Sequence, residues 1–321
     1  MKRIISFAAA LTLVFGAASC QKESQASDAD VVFSVELPSD VVTKANDLPD
    51  MGDGSTVDEL IYRIYAAGEV KYSGVIPRVG TSNKFTLSIK LVKGMEYDLL
   101  FWAQKSATGY YNTDNLKEVV ANYDGLSNDE TRDAFYGSYP KFVAGTTPNT
   151  VYLKRPFAQV NFGSAADDWS SVQPFVAVTD DEGNPQIELK SSMTLKGVPY
   201  KFNVAAGDVV AGSVKDVNFG LSYSPIAEAA YDNDYISHDS KDYAWVAMNY
   251  ILAPKAGTNV AVEAGFVHSK NATAPLVKAV PEAPVKQNYR TNILGDVFTE
   301  SNSFEIVIVP GFDGDEIVTL K

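Results

Sequence analysis

The chain has 321 residues and a net charge of −13 at pH 7, and it contains one cysteine and two histidines. One cysteine cannot form an internal disulfide, and so few Cys and His residues argue against a zinc or iron–sulfur site. The acidic charge also argues against the Lys/Arg surface with which nucleic-acid-binding proteins neutralise phosphates. Because 45% of the residues are hydrophobic and 21% are charged, we expect a folded protein that is long enough for two domains.

The amino-terminal residues have the pattern of a signal peptide. Residues 1–19 begin with Lys2 and Arg3, continue with an apolar run and end in small residues immediately before Cys20. The apolar run is shorter than the roughly 20 residues that a membrane-spanning helix requires. The position of the sole cysteine resembles the lipobox of bacterial lipoproteins, in which this cysteine is acylated; an ordinary secretory signal is the alternative. We therefore predict a lipid on Cys20 and a membrane as one partner.

The segment after this cysteine is polar and acidic. Residues 20–30 show no apolar period, which is typical of a flexible tether that lifts a folded part off the membrane. Lys22 and Glu23 also loosely resemble the signal that sends Bacteroidetes lipoproteins to the cell surface. The predicted location is the surface of the outer membrane.

Alternation of apolar and polar residues dominates the rest of the chain. In residues 84–91, Phe85, Leu87, Ile89 and Leu91 share one face, as in a half-buried antiparallel strand. Other runs with one or two apolar faces are 31–38, 60–64, 70–76, 97–102, 243–251 and 260–266. Short strands separated by polar turns predict an all-β protein built from β-sandwiches.

We predict two consecutive β-sandwich domains, with residues 31–157 in the first and 158–321 in the second. The boundary lies near Pro156, which has no N–H group for a continuing strand ladder. Residues 179–185 are a polar turn between two strand-like runs.

Two short helical excursions are predicted between the strands of the first domain. Asp114 is placed to cap a helix that carries Leu116 and Val119. Ser127 and Glu130 have the spacing of a capping box. Both helices would belong to a long excursion from the first sheet.

No sequence motif points to catalysis. The chain lacks the nucleophile elbow, the zinc-protease motif, the P-loop and the dinucleotide-binding glycine pattern. His238 has Ser237 and Asp239 as neighbours, but adjacent strand residues point to opposite faces, so we expect a solvated loop histidine. Segments 50–55 and 313–316 have the composition of calcium loops without the full EF-hand pattern, and we expect plain turns. We predict no catalytic, cofactor-binding or metal site.

Five segments carry motifs of one known family. They are Val42–Ala45, Lys93-Gly94 ahead of Phe101–Gln104, Asp129–Phe135, Leu153–Gln159 and Asn288–Gly295. In this order they resemble the Bacteroidetes fimbrillin-like lipoproteins, the subunits of type V pili. The resemblance implies lipidation, transport to the outer membrane and two transthyretin-like β-sandwiches.

The resemblance also implies a route of assembly. In polymerising members, a trypsin-like protease cuts before an alanine near the mature start, and the first strand leaves a groove that a strand from the next subunit fills. The matching position here is Lys44-Ala45, downstream of the apolar strand 31–38. The family favours arginine before the cut, so processing at Lys44 is an open question. Residues 304–309 are apolar on both faces and form a second strand that must be covered.

The leading hypothesis is a non-enzymatic, surface-exposed outer-membrane lipoprotein that acts as a fimbrial subunit or adhesin. Its partners would be other pilin subunits and a host receptor or glycan, and it would join the fimbrium if processed. The alternative is a cell-surface glycan-binding lipoprotein of a nutrient-uptake system, with Phe101-Trp102 or Tyr110-Tyr111 as a sugar platform. A hydrolase with two facing carboxylates is the third possibility.

Overall fold

The computed structural model describes residues 27–38, 52, 54–168, 176–179, 185–187, 189–224, 235–268, 275–299, 304–310 and 318–320. The predicted signal peptide, Cys20, most of the tether, Lys44, Ala45 and segment 313–316 lie outside the described residues. Within the described residues, no helix is long and apolar enough to span a membrane.

Most of the described residues lie in strands. The strands are β1 (Asp28–Glu36), β2 (Glu59–Ala66), β3 (Glu69–Pro77), β4 (Lys84–Val92), β5 (Glu96–Gln104), β6 (Tyr111–Asn112), β7 (Val119–Ala121), β8 (Gly125–Leu126), β9 (Phe135–Val143), β10 (Val151–Tyr152), β11 (Phe157–Ala165), β12 (Val176–Thr179), β13 (Pro185–Ile187), β14 (Lys190–Pro199), β15 (Lys201–Asn203), β16 (Asp208–Val209), β17 (Val214–Tyr223), β18 (Tyr235–His238), β19 (Lys241–Leu252), β20 (Thr258–Val267), β21 (Leu276–Val285), β22 (Tyr289–Gly295), β23 (Phe304–Pro310) and β24 (Val318–Leu320). The predicted all-β fold class is confirmed.

The first core lies between two sheets of the amino-terminal half. One sheet has the order β10-β1-β4 and the other the order β3-β2-β5-β9. The fully buried residues of this core all lie between Val31 and Leu153. β5 is apolar on both faces, as predicted, because Phe101 faces this core while Trp102 faces a second, larger core.

The second core lies between a six-stranded sheet, β18-β19-β11-β22-β23-β24, and a five-stranded sheet, β21-β20-β14-β17-β8. The rings of Phe162 on β11 and Phe266 on β20 meet across this core at 5.8 Å. β19 lies inside its sheet and is buried from Tyr243 to Leu252, which confirms the prediction of a central strand there. The two strand-like runs predicted on either side of 179–185 are also confirmed, as the paired strands β12 and β13; residues 180–184 between them lie outside the described residues.

The two halves share packing around one tryptophan. The ring of Trp102 lies 5.3 Å from Tyr111 and 6.1 Å from Phe202, which belong to the small sheet β16-β15-β7-β6. This sheet combines strands from both halves of the sequence. β10 ends at Tyr152 and β11 begins at Phe157; a domain boundary at 157 stays a prediction.

The helix predicted after Asp114 is wrong. Asn112 and Asn115 each accept a hydrogen bond from the backbone N–H two residues further on, at 3.0 Å in both cases. These turns compete with helix formation. Val119, which is β-branched and fully buried, then starts β7 and pairs with Phe202.

The capping box predicted at Ser127 is also wrong. The segment forms one turn of 3₁₀ helix, Glu130–Arg132, whose N-cap is Asp129. The Asp129 carboxylate accepts the N–H of Thr131 at 3.0 Å. Ser127 lies two residues before this cap, so its hydroxyl is free to accept from the side-chain amide of Asn249 at 3.2 Å.

The predicted last strand is confirmed as β23, paired with β22 on one side and β24 on the other. Both of its faces are apolar, as predicted. Val307 is the residue that is fully buried, while Phe304 and Ile306 are half-buried against the second core.

Candidate strand-exchange site

β1 is held mainly from one side. It pairs antiparallel with β4 over nine residues, from Asp28 opposite Val92 to Glu36 opposite Lys84. On the other side it meets β10 in parallel, at two residues, Val35 and Glu36. Among the described residues, the part of β1 before Val35 therefore has a strand partner on one side only, so release of β1 requires the loss of one full ladder.

The inward side chains of β1 fill pockets of the first core. Val31, Phe33, Val35 and Leu37 are 0–4% exposed, whereas Val32 on the opposite face is 56% exposed. A fully buried Val, Leu or Phe contributes about 1.5–3 kcal/mol of hydrophobic stabilisation. The alternation predicted for 31–38 is confirmed, and it determines the register of β1 because a slip by one residue would turn all these side chains to solvent.

Phe33 makes the most specific of these contacts. Its ring packs edge-on against Phe142 at 4.9 Å and against Tyr139 at 6.1 Å, both on β9 of the opposite sheet. Without β1, these rings and the backbone edge of β4 would line a groove. Such a groove accepts any strand with apolar residues at alternate positions, by main-chain pairing.

A cluster of ionisable side chains lies beyond the carboxyl end of β1, where Pro38 and Arg155 line the same cavity. Arg155 and Asp133 form a two-pronged ion pair with both distances 2.7 Å, and each side chain is 1% exposed. Glu130 accepts a hydrogen bond from the hydroxyl of Tyr250 at 3.1 Å. Burial raises the pKa of Glu130 to about 8, so its neutral form is favoured near pH 7. We call Glu130, Asp133, Arg155 and Tyr250 the junction cluster.

The junction cluster brings together segments that are far apart in the sequence. Glu130 and Asp133 come from the 129–135 motif, and Arg155 comes from the 153–159 motif. The motif 288–295 enters as β22, beside β11. There Asn292 accepts from the side-chain amide of Asn161 at 2.8 Å, and burial lowers the pKa of Arg290 to about 10.

The match of the sequence to a family model identifies the family of the chain. Residues 23–321 match the model of a family of unknown function, DUF6562. The chain belongs to this family. No curated protein sequence matches it.

Solved structures with a similar chain path include fimbrial and adhesion proteins and a candidate polysaccharide-binding protein from Bacteroides thetaiotaomicron. The fimbrial anchor protein Mfa2 from Porphyromonas gingivalis has 11% identity and a TM-score of 0.43, over 87% of this chain and 97% of that one. The tip fimbrial protein Mfa3 from the same organism has 10% identity and a TM-score of 0.44, over 88% and 98%. A candidate cell adhesion protein from Bacteroides uniformis has 11% identity and a TM-score of 0.47, over 87% and 97%. At TM-scores below 0.5, these similarities are too distant to carry an inference about this chain.

The aromatic pairs of this DUF6562 chain do not form an open platform for a sugar. Phe101 and Trp102 are both 0% exposed. Tyr110 is stacked on the guanidinium of Arg132 at 4.0 Å, and its hydroxyl donates to Asp129. Tyr111 packs on Trp102. Phe101 and Trp102 are therefore core residues, whereas Tyr110 and Tyr111 are partly exposed.

The expectation of a solvated loop histidine is wrong. His238 ends β18, is 4% exposed, and its Nε2 lies 3.2 Å from the carboxylate of Glu305 on β23 and 3.7 Å from that of Asp239. The β18–β19 hairpin places it there, because Asp239 and Ser240 turn the chain with positive φ angles. Ser237 points to solvent and donates to Asp242 at 2.6 Å, so it is not a partner of the histidine.

His238, Asp239 and Glu305 are also the described residues whose ligand atoms lie close enough together for a metal ion, within 4.8 Å of one another. The carboxylates of Asp239 and Glu305 are both exposed, and the Nδ1 of His238 has no hydrogen-bond partner among the described residues. Because a metal-bound histidine usually donates from its other nitrogen, this arrangement fits a hydrogen-bonded histidine better than a metal ligand. In segment 50–55, which has the composition of a calcium loop, the backbone N–H and carbonyl of Gly52 form hydrogen bonds with protein side chains.

Proposed function

We propose that this chain is a surface-exposed outer-membrane lipoprotein that acts as a fimbrial subunit or adhesin and assembles by strand donation. The observation that carries the proposal is the position of β1. It pairs with β4 over nine residues and with β10 at only two, and its apolar residues are seated in the first core. A strand of the same pattern from another subunit would make the same contacts.

The order of the sequence supports the proposal. Cys20, the predicted lipidation site, lies upstream of β1, and Lys44-Ala45 lies downstream of it. A cut after Lys44 would leave the lipid on the β1 fragment. The rest of the subunit would leave the membrane only when β1 is displaced, so processing and release from the lipid would be coupled to assembly. An uncut chain would stay at the membrane as an anchor subunit or adhesin.

The proposed role includes no catalytic step. A glycan-binding role is not put forward as a second function, because Phe101 and Trp102 are fully buried and Tyr111 packs on Trp102.

The test is the state of the protein recovered from a Bacteroidetes host. We expect the wild-type protein to begin at Ala45 and to form multimers that survive SDS without heating. Lys44→Gln removes the cut and should be recovered as a lipidated monomer that begins at Cys20. The control Lys196→Gln changes an exposed lysine on β14, away from β1, and should behave as wild type. A wild-type protein that keeps Cys20 and stays monomeric, or multimers that persist in Lys44→Gln, would overturn assembly by strand donation.

A further inference from the structure

The first described residue after the predicted cut is Gly52, and both of its backbone groups are held by the junction cluster. Its N–H donates to the Glu130 carboxylate at 2.7 Å, and its carbonyl accepts from Arg155 at 2.6 Å. Gly52 is buried and has a φ of 80°, a conformation that favours glycine. These two hydrogen bonds therefore fix the orientation of the backbone at Gly52, in a conformation that favours glycine at this position.

A second arginine holds the residues that follow. One nitrogen of the Arg78 guanidinium donates to the carbonyls of Gly54, Ser55 and Val57, at 3.2, 3.1 and 2.9 Å. The hydroxyl of Thr56 donates to the backbone carbonyl of Glu130 at 3.2 Å. We call Gly52 with residues 54–58 the retained segment.

The groups that hold the retained segment are themselves fixed by the body of the fold. Arg155 is fixed by Asp133, and Glu130 by Tyr250 on β19. None of these contacts includes a residue of β1. Val57 of the retained segment packs in the same first core as Phe33 of β1, so the two share apolar contacts. The hydrogen bonds at Gly52, in contrast, are made without β1.

We propose that Glu130 and Arg155 act as a clamp on Gly52, which keeps the chain in place from residue 52 onward when β1 leaves its groove. This inference rests on the proposed function, because it assigns the limit of the released segment. In a processed subunit the chain would then stay fastened at Gly52, and the release of β1 would not extend into β2. Glu130 and Arg155 are positioning residues in this role.

The experiment follows the exchange of the Gly52 amide hydrogen in the full chain, with Cys20→Ser to avoid the lipid. β1 is unseated in two ways. In one, a sequence-specific protease site is inserted between Lys44 and Ala45 and is cut. In the other, Phe33→Asp places a charge in the first core. We expect the amides of β1 to become exchangeable in both cases, while Gly52 keeps its protection within about threefold.

Variants of Glu130 test the clamp itself. Glu130→Ala removes the acceptor and should speed exchange at Gly52 by at least about tenfold. Glu130→Gln keeps a carbonyl oxygen and should restore most of the protection. The matched control is Glu118→Ala, which removes a carboxylate from an ion pair with Lys201 and should leave Gly52 unchanged.

Loss of Gly52 protection when β1 is unseated would overturn the clamp, and so would unchanged protection in Glu130→Ala. The failure of the proposed function has a different signature. If β1 remains seated after the cut, strand release is wrong, and the Phe33→Asp chain still decides whether the clamp holds.

Discussion

The segments on the two sides of Lys44 are held by different kinds of interaction. Upstream, β1 is held by one backbone ladder and by apolar side chains such as Phe33. Downstream, Gly52 is held by two polar side chains, the partly buried Glu130 and the fully buried Arg155. Apolar contacts depend on shape and area, and hydrogen bonds depend on direction and on a matched partner.

This difference has a consequence for assembly. A strand that is held by alternate apolar side chains can be replaced by another strand with the same alternation, because the ladder itself is not specific to sequence. A backbone held by directional hydrogen bonds to matched side chains has no such substitute, since a partner that is lost leaves a buried group unsatisfied. The comparison predicts that β1 is exchangeable and that the retained segment is permanent.

The largest effect is expected from breaking the buried ion pair. Asp133→Ala leaves the guanidinium of Arg155, which is 1% exposed, without its carboxylate. Removal of one partner from such a pair costs about 3–5 kcal/mol, and urea unfolding of the purified chain would measure the loss.

The exposed ion pair of Glu118 and Lys201, at 2.6 Å, supplies the control. Glu118→Ala should not shift the urea midpoint measurably, because exposed pairs contribute little. If Asp133→Ala were equally neutral, the retained segment would not be held by charge, and the contrast with β1 would be lost.

A pH dependence is the second expected effect. In the unfolded chain Glu130 ionises near its ordinary pKa of 4.5, and in the folded chain burial raises the pKa to about 8. The folded state therefore favours the protonated carboxyl. Its contribution to stability is fully present below pH 4.5, is lost as the pH rises to about 8, and changes no further above that. The slope in this window is at most about 1.4 kcal/mol per pH unit.

Urea midpoints measured across this window would test the dependence. The slope should be reduced in Glu130→Gln, whose side chain does not titrate, and should persist in Glu118→Ala. Equal slopes in the wild type and Glu130→Gln would show that Glu130 is ionised in the fold, and that Gly52 is held by a carboxylate throughout.

The strands could be predicted from the sequence because their signal is local. The alternation in 31–38 and 84–91 is complete within one segment, and these segments pair with each other as β1 and β4. The error at Asp114 has a local cause too. Asn112 and Asn115 favour turns over the helix that the apolar spacing suggested.

The junction cluster was missed because its contacts join distant parts of the chain. Gly52 meets residues 78 and 103 positions away, and Glu130 meets one 120 positions away. The alternation of apolar and polar residues along the sequence does not indicate which residues so far apart will meet. A weaker signal was present: Asp133 and Arg155 each directly precede apolar residues ending in an aromatic, Ala134-Phe135 and Pro156-Phe157. Charged residues in so apolar a setting are buried only when paired.

The smallest effect concerns the shape of the β1 pocket. Phe33→Leu keeps the side chain apolar but removes the edge contacts with Phe142 and Tyr139, and it should cost roughly 1 kcal/mol. The measurement is a competition for the cut subunit between a synthetic 28–38 peptide and the same peptide with the substitution Phe33→Leu. In this assay the loss corresponds to a roughly fivefold weaker Kd.

Val32→Ala, on the exposed face of β1, should change binding by less than about 0.5 kcal/mol. Equal losses for the two substituted peptides would mean that the ladder alone holds β1, so that the groove would accept strands without regard to their alternate side chains. A loss confined to Phe33 would mean that the pockets select the incoming strand and its register, which is the property that a subunit needs in order to add partners in a fixed orientation.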